Sequence, residues 1–109
     1  MNEFELIICI VNKGYSDTVM DAARSNGAGG GTIVNARGTA NPESEKLFGV
    51  VVQPEKETVL IVAKKEKVDA IVSAIYDVAN LATDGHGIAF TLPIDSIVGL
   101  PEKQLTCNY

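Results

Sequence analysis

The stretch Glu57–Ala79, ETVLIVAKKEKVDAIVSAIYDVA, passes from a strand pattern into a helix pattern with only a short charged join between them. Thr58-Val59-Leu60-Ile61-Val62 is rich in branched residues, which favour a pleated backbone. Beyond the Lys64-Lys65-Glu66-Lys67 cluster, Val68, Ile71, Val72, Ile75, Val78 and Ala79 recur at 3-1-3-3-1 spacing. That spacing lays one apolar stripe along a helix. Downstream, Gly85-His86-Gly87 is expected to break the helix, Ile88–Leu92 forms a last strand, and Pro93 ends it. Residues 94–109 read as a tail without a clear pattern.

Upstream, Pro54 separates this unit from Leu47–Gln53, a second strand-like run. Residues 38–47 are polar and rich in turn formers, with Asn41-Pro42 disfavouring helix. The N-terminal part repeats the theme. Phe4–Val11, FELIICIV, is a nearly continuous apolar strand, as expected where helices cover at least one face. Ser16 is suited to cap a helix that has Asp17 in its first turn, and Val19, Met20, Ala22 and Ala23 give that helix its apolar side. Gly27 is suited to end it, and Gly31–Arg37 returns to extended character. The order β-α-β-β-α-β predicts an α+β, ferredoxin-like sandwich, an antiparallel four-stranded sheet with two helices on one face. The other sheet face is left bare, and in so small a protein its apolar side chains call for cover by self-association.

The 109 residues suit a single domain, 1–109. No apolar run approaches the roughly 18 residues that a membrane-spanning helix needs. The start, Met1-Asn2-Glu3-Phe4-Glu5, lacks the basic region of a signal peptide, so a cytoplasmic protein is expected. A net charge of −5 argues against nucleic acid as a partner, since counterion release requires a basic face. Cys9 and Cys107 are too few and too far apart for a disulfide framework.

The glycine-rich run Asn26–Thr39, NGAGGGTIVNARGT, carries four glycines in five positions and leads into the polar loop at Gly38. It fits a ligand-approach site and equally a flexible turn from helix to strand. It is not a dinucleotide fingerprint, because Thr32 stands at the last glycine position and a strand follows where a helix should receive the phosphates. His86, the sole histidine, has no neighbours in sequence for a metal site or a nucleophile–base pair. Its flanking glycines could present bare amides to phosphate. Lys56, between Glu55 and Glu57, reads most simply as a solvated hairpin charge. No nucleophile stands on a recognisable strained elbow, which argues against an enzyme.

These residues resemble the P-II nitrogen-regulatory signalling proteins from about Leu6 to Gly99. The resemblance rests on Ala22-Ala23-Arg24…Gly27, Gly30-Gly31-Thr32-Ile33…Ala36-Arg37-Gly38-Thr39, Lys56–Val62 and Gly85–Pro93. It implies a homotrimer with the open sheets facing inward and adenine nucleotides in the clefts between subunits. It also implies a "T-loop", here 38–55, that changes shape with ligand and engages a target protein or membrane transporter. Residue by residue, Thr32 corresponds to a position near the base, and Gly38 to the glycine that starts the T-loop, with Arg37 beside it. Lys56 corresponds to a phosphate-contacting lysine, Val62 to an adenine-side position, and Gly85 and Gly87 to the glycines of the phosphate-binding turn.

The chain also departs from the family pattern. Ile88 stands where regulatory members carry a lysine, Gly99-Leu100-Pro101 replaces basic residues, and Pro42 falls near a glutamine that joins magnesium and 2-oxoglutarate. Its only tyrosines are Tyr15, Tyr76 and Tyr109, so the loop tyrosine modified in enteric members is absent. Fewer cations favour ADP or AMP over ATP as ligand, and no cofactor is required. The alternatives are a trimeric metal-binding protein of the divalent-cation-tolerance type and a structural trimer without a small-molecule ligand.

Overall fold

The computed structural model describes residues 3–39, 46–47, 50–51, 54–83 and 86–99. The elements run β1 (Phe4–Asn12), α1 (Ser16–Ser25), β2 (Thr32–Arg37), β3 (Lys46–Leu47), β4 (Val50–Val51), β5 (Glu55–Lys64), α2 (Lys65–Val78) and β6 (Gly87–Pro93). Four strands form one antiparallel sheet in the order β2-β5-β1-β6. This is the expected ferredoxin-like arrangement. Where one strand was expected over 47–53, a short β3–β4 ladder pairs Lys46–Leu47 with Val50–Val51 in a sheet of its own.

Alternation along the central strands explains the layers. Ile7, Cys9 and Val11 of β1, with Val59, Ile61 and Ala63 of β5, point to the face covered by the helices and are buried. Val19, Met20 and Ala23 of α1 and Val68, Ile71 and Ile75 of α2 close over them. Leu6, Ile8 and Ile10 of β1 and Leu60 and Val62 of β5 point the other way and stay half-buried. The apolar run of β1 is continuous because both of its faces are apolar, and within one chain only one face has cover.

The helix boundaries refine the reading from sequence. Ser16 is the first residue of α1, not its cap; Tyr15 holds the cap position and supplies no side-chain bond. The work of a cap passes to Glu57 on β5, whose Oε1 accepts the Gly14 amide at 2.9 Å and the Ser16 amide at 3.3 Å. Donation by the Gly14 amide, then by the Ser16 hydroxyl, holds the Glu57 carboxyl below its ordinary range. A carboxylate from a neighbouring strand satisfies the amides at this helix end and opposes its positive pole.

Gly27 does end α1. Its φ of +106° lets its amide reach the Arg24 carbonyl at 3.1 Å while Ala28 reaches Ala23 at 3.0 Å. That pairing is a Schellman stop. The same device ends α2 at Asn80 (φ +56°), whose amide bonds Asp77 while Leu81 bonds Tyr76. The stop therefore precedes the expected break at Gly85–Gly87, because Asn tolerates the left-handed region. Residues 94–99 form neither helix nor strand, and the remainder of the expected tail, 100–109, lies outside the described residues. Among the described residues no helix is long and apolar enough to cross a membrane.

Candidate functional site

The register gathers the end of β1, the end of β2 and the beginnings of β5 and β6 at one end of the sheet. Lys56 lies opposite Asn12 on one side and Ala36 on the other, Arg37 lies opposite Glu55, and Gly87 lies opposite Val11. The Gly38 amide donates to the Pro54 carbonyl at 2.8 Å, which ties the two ends of the 38–55 segment together. A Cβ at Gly38 would stand 3.2 Å from Lys56 Cε and 3.0 Å from Pro54 Cγ, so the lysine stem lies against the bare glycine. Lys56 Nζ donates to Asn12 Oδ1 at 2.5 Å.

Strand alternation separates Lys56 from the acids that flank it. Lys56 shares the open face with Thr58, Leu60 and Val62, while Glu55 and Glu57 belong to the helix side. There Glu57 serves the start of α1, and Glu55 lies 3.4 Å from Lys13 in an exposed ion pair. The ammonium at this end of the sheet is half-buried and hydrogen-bonded to a side chain, unlike the solvated hairpin charge that its sequence neighbours suggest.

The structure brings Arg37, Gly38, Lys56 and Gly87 to this one end. Gly87 is separated from Lys56 by one intervening strand, a span of about 10 Å. It also has a structural reason to be glycine: its φ is +142°, and a Cβ would collide with the Ile10 carbonyl oxygen. Thr32 and Val62 are not part of the group. Thr32 pairs with Leu60 and Val62 with Leu6, four and six positions along β5 from Lys56, or about 13 and 20 Å. Both sit on the same open face as Lys56, but well along the sheet from it. Gly85 and residues 40–45 lie outside the described residues, as do residues 48–49, 52–53 and 100–109, Cys107 among them.

Ile88 lies opposite Ile10, and with Phe90 and Leu92 it extends the apolar open face across β6. The position that would hold a lysine in the resemblance is thus part of an apolar stripe. The glycine run is mostly packing material. Ala28, Gly29 and Gly30 are buried, and a Cβ at Gly31 would stand 2.9 Å from both the Leu60 carbonyl oxygen and Met20 Sδ. The turn reading of that run, left open by the sequence, is the one the packing explains. Cys9 is buried in the core, where desolvation pushes its thiol up to about 11. Among the described residues no group of three or more His, Cys, Asp or Glu gathers as a metal cluster.

Sequence reasoning missed Asn12 and the capping work of Glu57. The signal for Asn12 was available: it is the polar residue that directly follows the apolar run Leu6–Val11. For Glu57 there was none, because its partners lie 41 and 43 residues away.

The family model described as nitrogen regulatory protein P-II matches residues 4–103, nearly the whole chain. No curated protein matches at a significant level.

Proposed function

Because the chain belongs to the nitrogen regulatory protein P-II family, we propose that it senses an adenine nucleotide, ADP or AMP in preference to ATP, in clefts between the subunits of a homotrimer. Membership makes it a nitrogen-regulatory signalling protein in the broad sense, in a family of signalling proteins and not of enzymes. In this reading it works in the cytoplasm, and the 38–55 segment carries the state of the cleft to a target protein or membrane transporter.

The observation that carries the reading is the contact of the Lys56 stem with Gly38, at the end of an apolar sheet face. A positioned ammonium and bare backbone amides suit a short phosphate chain. Arg37 and Gly87 stand at the same end, Arg37 on the helix side with its partner Glu55, and His86 directly precedes Gly87. Thr32 and Val62, on the same face but far along it, would meet the nucleotide from a neighbouring subunit. Stacking three copies on this face both covers the stripe from Leu6 to Leu92 and completes the cleft. With Ile88 in the stripe, one fewer cation is available for a third phosphate.

Ligand binding acts as a switch only through contacts that differ between two arrangements of the 38–55 segment. Its two ends are already joined by the Gly38–Pro54 hydrogen bond. A phosphate group received at Gly38 and Lys56 would therefore act directly on the root of the segment.

The test is calorimetry with AMP, ADP and ATP on intact protein and on Lys56→Ala. Loss of one charge-assisted contact, about 1.5–3 kcal/mol, should weaken ADP binding about 10- to 100-fold. Absence of heat with all three nucleotides in the intact protein overturns the proposal.

A further inference from the structure

Asn12 lies at the last position of β1, directly opposite Lys56 on the open face, and its Oδ1 accepts from the lysine ammonium. The arrangement is specific in its chemistry. An amide oxygen orients an ammonium without bringing a countercharge, whereas a carboxylate at the same place would form an ion pair with it. The two carboxylates nearest in sequence, Glu55 and Glu57, are turned to the other face, one beside Lys13 and the other on the amides of Gly14 and Ser16. The lysine stem is confined as well, since it passes against Gly38. Asn12 offers the ammonium a neutral acceptor, and Gly38 offers its stem a bare backbone.

We infer that Asn12 is a positioning residue for anion binding: its neutral amide fixes the Lys56 ammonium so that the charge is directed at the phosphate group of a ligand at the 38–56–87 end of the sheet. The inference rests on the proposed nucleotide site and adds to it the residue that sets how strongly phosphate is held there. It also explains why a polar residue ends a strand whose other open-face positions, Leu6, Ile8 and Ile10, are apolar.

The test is a calorimetric comparison of ADP and adenosine on the intact protein and on Asn12→Ala, Asn12→Asp, Lys56→Ala and Asn12→Ala/Lys56→Ala. Removing the acceptor should weaken ADP binding about 3- to 10-fold, and substituting a carboxylate should weaken it about 10-fold or more. Adenosine, which carries no phosphate, should bind all forms within about twofold of the intact protein, a result that a merely structural role would not produce. The double variant should be no weaker toward ADP than Lys56→Ala alone, because both changes act through one ammonium. Should Asn12→Ala misfold, Asn12→Asp retains the shape of the side chain and carries the comparison. If Lys56→Ala weakens ADP binding while both Asn12 variants bind it as the intact protein does, Asn12 has no positioning role and the nucleotide site stands. If the intact protein binds no nucleotide, both readings fall.

Discussion

The two faces of the one sheet are built from the same strands and do opposite things. On the helix side, Ile7, Cys9, Val11, Val59 and Ile61 are each 0% exposed, and the chain completes that packing by itself. On the open side, Ile88, Phe90 and Leu92 remain 57, 40 and 47% exposed, and Lys56 lies at that face's end. Single scattered apolar residues on a surface need no explanation, but a contiguous stripe does. The difference shows that burial within one chain accounts for half of the apolar pattern. The other half stays exposed, and in the proposed trimer it is the surface that neighbouring copies cover.

The contrast breaks most readily on the open side. Phe90→Glu places a charge in the middle of the stripe, and in sedimentation it should convert the assembled protein to monomer. If the variant sediments as the intact protein does, the stripe is not the assembly surface. A second comparison sharpens the distinction with adjacent residues of β5. Ile61→Ala empties a core position and should cost about 2–5 kcal/mol in denaturant unfolding, at every protein concentration. Leu60→Ala, one residue away on the other face, should cost less in dilute monomer and more as concentration rises. Equal, concentration-independent losses at the two positions would erase the difference between the faces.

Gly87→Ala tests whether that glycine is held by the fold whatever it binds. The strained φ alone should cost about 1–3 kcal/mol, and the collision with Ile10 adds to it. An unchanged melting temperature would remove the structural reason and leave only a ligand role. The smallest effect concerns acid. Glu57 has a folded pKa depressed below its unfolded value, so its contribution is present above the ordinary carboxylate range. It is lost as pH falls through the folded value. Glu57→Gln should therefore flatten the fall in stability on the acid side of about pH 4–5, measured by urea unfolding across pH. A variant as acid-sensitive as the intact protein would show that another carboxylate controls that slope.

Much of the fold was legible because local pattern and final packing agree. The branched run Thr58–Val62, the 3-1-3-3-1 stripe of α2 and the stop at Gly27 each state a local requirement that the core then meets. The exceptions are instructive. Ser16 carries every local mark of an N-cap, yet a carboxylate from β5 performs that task, because a long-range acceptor was already held in place by the sheet. The glycine run looked open to a ligand, yet it is largely buried, since close approach of helix and strand also demands small residues.

By itself, the sequence determined which segments are strands and helices, that both faces of β1 are apolar, and which family pattern the chain follows. Those properties reside in the order of neighbouring residues. Only the tertiary structure decided that Asn12, Gly38 and Lys56 meet at one end of the sheet, that Glu57 serves α1, and that Thr32 and Val62 stand apart from them. Partners 41 to 44 residues apart are brought together by strand register. Register is the outcome of all the pairings at once, so no local pattern could have announced it.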